Sequence, residues 1–102
     1  MGKKTKKLIR QNFRDECIRR DKNCKFCHST TNLEVHHITD RTLFPNGGYV
    51  KENGITVCPS CHLECELFHQ TDGREWHEGK HPDELYCMIG SSLEMAKKAD
   101  EK

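Results

Sequence analysis

Apolar positions are sparse along this chain, and their spacing changes from segment to segment. Leu8, Phe13, Cys17 and Ile18 recur at roughly helical intervals among charged residues, which predicts a helix over 5–22 with Asn23 as its stop. Ser29-Thr30-Thr31-Asn32 reads as a loop. Leu33 to Ile38 begins by alternating apolar and polar, as a half-buried strand does. Residues 39–52, with Asp40, Pro45, Asn46, Gly47 and Gly48, read as a long irregular loop, and Gly54-Ile55-Thr56-Val57 as a second short strand. Pro59 suits a first helical turn, so a helix is expected from there to about Gln70. Residues 71–80 are polar and poorly patterned. Pro82-Asp83-Glu84 opens another helix, and Ser91-Ser92-Leu93-Glu94 has the form of a capping box that starts a last one, with 97–102 expected to fray. The order helix, two strands, helices predicts a small α+β fold without internal repeats.

Composition bounds what such a fold can bury. The 102 residues are 33% hydrophobic and 32% charged, with a mean hydropathy of −0.90. This length predicts one domain, and a domain this polar needs a staple beyond its small core. No apolar run is long enough to span a bilayer, and the opening Met-Gly-Lys-Lys-Thr-Lys-Lys lacks the apolar stretch of a secretory signal. Lys6 stands where a myristoylation signal needs Ser or Thr. No membrane association and a cytoplasmic location are expected, where thiols stay reduced.

The seven cysteines are therefore read as metal ligands rather than disulfides, in keeping with their odd count. Cys24-Lys25-Phe26-Cys27 and Cys58-Pro59-Ser60-Cys61 are two knuckles separated by 30 residues. Each can turn two sulfurs toward one ion, and together they make a closed tetrahedral site suited to structural zinc. Two independent redox pairs, or buried free thiols, are the competing readings, and neither explains the pairing so well. Cys17, Cys65 and Cys87 are left over and read as small core residues.

A second constellation lies between and beside the knuckles. The stretch Val35-His36-His37-Ile38, then Asn53-Gly54-Ile55-Thr56-Val57, then Cys58 through Glu66, resembles the HNH endonucleases, which belong to the ββα-metal or His-Me finger group. The resemblance covers about residues 24–66. It implies a ββα-metal core over 24–70, stapled by the four-cysteine zinc, with a basic N-terminal helical segment over 1–23 and a helical extension over 71–102. It implies that His36 is a ligand of a catalytic divalent ion, that His37 is the general base, that Asn53 holds the loop orienting that base, and that His62 is the second ligand. His36 stands where Asp is more common in that family, which widens the set of metals from Mg2+ toward Mn2+, Ni2+ or Zn2+.

The chemistry also makes sense on its own terms. Cutting a phosphodiester needs an activated water and a cation on the developing charge. A neutral imidazole can take the proton from water near working pH. Adjacent strand residues point to opposite faces, so His36 and His37 suit different tasks. His62 is tied to the staple through Cys61, at a helix start that favours phosphate. Glu66, one turn further, is a further ligand, an acceptor orienting His62, or a surface acid; the second is favoured. His28, His69, His77 and His81 carry no assigned role, although His69 shares a helix face with His62 and His81 sits where the helix at Pro82 needs an N-cap.

Charge is unevenly placed. Residues 1–27 hold ten Lys or Arg against three acids, a balance of +7, and the remainder carries −6. A basic flank of this kind suits a polyanion, or serves only as a solvated tail. With the resemblance, duplex DNA is the expected partner, and Lys3, Lys4, Lys6, Lys7, Arg10, Arg14, Arg19, Arg20 and Arg41 are the candidate contacts, with Lys51 a further one. A protein partner or a second copy of the chain is the other candidate. The competing functions are a non-catalytic zinc module that binds DNA or protein, and an adaptor that docks through its acidic half. The resemblance further implies a bacterial or phage-infected cell.

Overall fold

The computed structural model describes residues 5–102. Lys3 and Lys4, two of the candidate DNA contacts, lie outside the described residues. Helix α1 covers Lys6–Asp21, capped by Thr5, whose side chain accepts from the Leu8 N–H. It stops a residue before the expected Asn23, at Lys22, which takes a left-handed conformation with φ 68° and donates its N–H to Ile18 O. Phe13 and Cys17 are its buried residues, whereas Leu8, read as part of the apolar stripe, is exposed.

Strands β1 (Glu34–His37) and β2 (Gly54–Val57) form an antiparallel ribbon in which His36 pairs with Ile55 and His37 with Gly54. Every residue of β2 is buried, because α1 packs on this strand from outside. That approach requires Gly54. A Cβ there would sit 2.6 Å from both the Cys17 sulfur and the Phe13 ring. The connecting loop tightens into short 3-10 turns at Arg41–Leu43 and Lys51–Asn53.

Helix α2 spans Pro59–Gln70, as the sequence predicts, and packs on β1. Helix α3 (Pro82–Met88) is capped by His81, whose Nδ1 accepts from the Asp83 N–H while Glu84 accepts from the His81 N–H. Helix α4 covers Leu93–Asp100. The capping box expected at Ser91–Glu94 does not form. Ser92 is the cap, accepting from the Met95 N–H, and Ser91 Oγ instead donates to Glu52 O. Fraying from 97 is also corrected, because Asp100 is buried and still helical.

The core runs from Cys24, Ile38 and Phe44 through Ile55, Val57, Cys58 and Cys65 to Leu85, Tyr86 and Ala96. Cys17 and Cys65 are buried as expected, and burial pushes both thiols up to about 12, so they are inert. Cys87 departs from the expectation and is exposed on the outer side of α3. The result is a small α+β fold with a ββα centre and flanking helices. Among the described residues, no helix is long and apolar enough to cross a membrane.

Candidate active site

The four cysteines of the two knuckles meet. Cys24 and Cys27 flank a turn in which the His28 N–H donates to Cys24 O and Lys25 N–H donates to Thr56 O, tying the turn to β2. Cys58 follows β2 at the N-cap position of α2, and Cys61 sits in the first turn of that helix. Their sulfurs all lie within 4.8 Å of one another, and Cys27 and Cys58 are 3.5 Å apart. Tetrahedral zinc thiolates, with bonds of about 2.3 Å, place sulfurs roughly 3.8 Å apart, so the residues fit such an ion. Four thiols this close cannot all ionise unaided. Burial opposes ionisation of Cys24, but the backbone N–H groups of Cys27, Cys58 and Phe26 outweigh it and bring that thiol down to about 6. Burial and the neighbouring sulfurs of Cys58 and Cys24 push Cys61 the other way. A divalent cation removes that conflict, since coordination deprotonates the thiols.

The second cluster lies where α2 crosses β1. His36, only 1% exposed, turns inward, and α2 presents His62 and Glu66 one turn apart. Glu66 Oε1 is 3.2 Å from His36 Nδ1 and 3.0 Å from His62 Nε2. One nitrogen from each ring and one carboxylate oxygen lie within 4.8 Å of one another, a spacing that fits a divalent ion. Sequence reasoning favoured Glu66 as the acceptor that orients His62. Glu66 does meet His62, and it meets His36 as well, while a second carboxylate, that of Glu34, stands 2.7 Å from His62 Nδ1. Nε2 of His62 and Oε1 of Glu66 face each other beside His36, a placement that a divalent ion between them would suit. Hydrogen bonding to His36 holds the Glu66 carboxyl down at about 2, against the effect of its burial. Burial pushes His36 down from its ordinary value, which favours the neutral ring that a metal ligand needs.

His37 faces the other side of β1. Its ring packs against Phe13 at 4.7 Å between centroids and edge-on to Tyr49 at 4.9 Å. Burial, then the nearby His36 and Arg41, push it down to about 4, so it is a neutral base at pH 7. Its Nε2 is buried with no hydrogen-bond partner among the described residues. The shallow pocket beside it, about 360 Å³, is lined by Arg10, Arg14, Val35 and Arg41 as well as Phe13 and Tyr49. Arg41 Nη1 donates to Tyr49 Oη at 3.3 Å.

Asn53 is fully buried and fastens both ends of the connecting loop. Its Oδ1 accepts from the Thr39 N–H and the Tyr86 hydroxyl, and its Nδ2 donates to Thr39 O and Gly48 O. The loop is held from a second side by Asp100, whose carboxylate accepts from the Asn46 and Gly48 N–H groups.

The basic residues divide. Lys6, Arg10 and Arg41 line one groove, and Lys7, Arg10 and Arg14 another beside it, both on the His37 side. Arg14 also donates to Leu33 O. Arg19 lies further along with Lys51. Arg20 leaves the set of candidate DNA contacts, because its guanidinium is taken up by Asp21, Lys51 O and Gly54 O. Sequence reasoning missed Glu34, Tyr49, Tyr86 and Asp100. For Glu34 a signal existed: two residues before His36 on a strand, it shares that residue's face.

Fold and site together define a small ββα domain whose two clusters of candidate metal ligands are joined by a shared helix. The family model described as HNH endonuclease matches residues 24–66, somewhat under half of the chain, and the matched segment contains both clusters, His37 and Asn53. Comparisons with curated proteins and with solved structures gave no match.

Proposed function

We propose that the chain is a divalent-metal-dependent endonuclease that hydrolyses phosphodiester bonds of double-stranded DNA, with zinc in the four-cysteine site as a structural staple. The convergence of His36, His62 and Glu66, next in the chain to an uncharged His37 that shares its pocket with three arginines, carries this reading. His36, His62 and Glu66 hold the ion, Mg2+, Mn2+, Ni2+ or Zn2+. Bound there, it supplies Lewis-acid polarisation of the phosphate and stabilises charge on the departing oxygen. His37 takes the proton of the water whose oxygen attacks phosphorus, and the bond from phosphorus to the leaving oxygen breaks. Arg10, Arg14 and Arg41 hold phosphate beside His37. Lys6, Lys7, Arg19 and the preceding Lys3 and Lys4 add sequence-independent, salt-sensitive affinity. Glu34 fixes the ring of His62, and Asn53 fixes the loop behind His37. The whole chain acts as one domain in the cytoplasm, where its thiols stay available to metal.

The test is cleavage of supercoiled plasmid by wild type and His37→Ala in Mg2+, Mn2+, Ni2+ and chelator. Wild type nicks or linearises the plasmid only with metal, and His37→Ala loses about 10²–10⁴-fold in rate while keeping its zinc and fold. Equal activity of the two proteins overturns the assignment of His37. If neither cuts but both bind DNA, the chain is a non-catalytic zinc module.

A further inference from the structure

Two turns beyond His62 on α2, His69 reaches the same ribbon. Its Nε2 stands 2.9 Å from the carbonyl oxygen of His37. Its ring stacks on that of His36, with centroids 5.1 Å apart and planes 27° from parallel. Ladder geometry explains why this carbonyl needs a partner. The Ile38 N–H donates to Asn53 O, and His36 lies opposite Ile55. In an antiparallel pair, alternate residues bond across the ribbon and the ones between turn their polar groups to the outer edge. His37 is one of the latter. The sheet has only two strands among the described residues, so no strand covers that edge. A carbonyl in this partly buried place is costly to leave unpaired, and His69 is the donor that reaches it.

We infer that His69 is a positioning residue: its Nε2–H holds the His37 carbonyl while its ring braces His36, so one side chain fixes both members of the histidine pair. β1 ends at His37, where the ladder gives way to the loop. Rotation of the peptide after His37 would swing the His37 ring within its pocket, and the hydrogen bond from His69 resists it. The stack on His36 limits rotation of the ring that faces Glu66 and His62. His69 does this through backbone and ring contacts, without touching the reacting atoms. Its effect on cleavage rests on the nuclease reading; its effect on metal binding and its own hydrogen bond do not.

Three variants of the full, zinc-loaded chain separate the two contacts. His69→Phe keeps a ring and loses the donor, His69→Gln keeps a donor and loses the stack, and His69→Ala loses both. Zinc content and Tm report on the fold. On a labelled duplex with Mn2+, His69→Phe lowers kcat about 10–100-fold with KM unchanged, the size typical of removing a group that orients a ligand. His69→Gln recovers most of the kcat that His69→Ala loses. In Mn2+ titrations by calorimetry, His69→Ala binds about 10-fold more weakly than wild type. Unchanged kcat and Mn2+ affinity in variants that keep zinc and Tm overturn the inference. So does a loss that merely follows Tm, with Gln no better than Ala. Ring-nitrogen NMR of the wild type is independent of substrate and metal. It shows His69 protonated at Nε2 with that proton slow to exchange. A ring protonated only at Nδ1, or one exchanging freely, overturns the inference even if the chain proves to cut nothing. Failure of wild type to cleave, with the NMR and Mn2+ results as expected, sinks the nuclease reading alone.

Discussion

Glu34 and Glu66 grip His62 from its two ring nitrogens, and the two carboxylates do different work. Glu66 shares its oxygen with His36, whereas Glu34 meets only the ring nitrogen turned away from the cluster. A carboxylate in that place fixes tautomer and direction together and makes the other nitrogen a better donor. Glu34→Gln is accordingly expected to weaken Mn2+ or Ni2+ binding about 10–100-fold in calorimetric titrations. Thermal stability should hardly change, since the Glu34 side chain is 46% exposed. The candidate ligands were legible in the sequence because their types and spacing are chemical signatures: two CxxC knuckles, a histidine pair, and a histidine directly after the last cysteine. Glu34 was legible only by strand parity. Tyr49 and Tyr86 gave no signal, because what they do depends on contacts with His37 and Asn53, far from them along the chain or across a loop.

Helix α1 and strand β2 are joined by more than the Phe13 and Cys17 contact. Asp21, at the last turn of α1, accepts from the Thr56 N–H at 3.0 Å and pairs with Arg20 at 2.7 Å, and its side chain is only 2% exposed. Burial opposes ionisation of Asp21, but Arg20 and the Thr56 N–H outweigh it and hold the carboxyl below its ordinary value. A carboxyl held lower when folded binds fewer protons than the unfolded chain does. Its stabilisation is therefore complete above the unfolded value of about 3.9 and is lost as pH falls through the folded one. Asp21→Asn should cost about 2 kcal/mol at pH 7 in urea unfolding, and the gap between variant and wild type should close below about pH 4. A gap that persists at low pH would contradict this account. The first helix was readable from its apolar spacing, the later ones because their starts carry local markers such as Pro59 and Pro82, and the strands because apolar runs are short and bounded by turn residues. The end of α4 was not readable. Asp100 earns its burial from Asn46 and Gly48, more than fifty residues earlier, and no local pattern announces that.

For the molecule as a whole, the four-cysteine site joins the turn after α1 to the junction of β2 and α2, and α2 carries two of the three residues of the second cluster. A core this small is expected to need a metal in the four-cysteine site to hold these elements together. Removing the metal with a strong chelator should unfold the protein cooperatively by circular dichroism, and zinc alone should restore the signal. Survival of the folded signal after complete metal removal would show that the apolar core suffices. The Asp100 contact has a consequence of another kind, in time rather than in space. A chain leaves the ribosome from its N-terminus, so a contact that needs a late residue cannot form before that residue emerges. Both knuckles, the histidine pair and Asn53 all emerge before Asp100 does. The loop between the strands thus lacks this fastening until the last turn of α4 is made. Of the contacts that hold this loop, the one from Asp100 is therefore the last to become available as the chain is made.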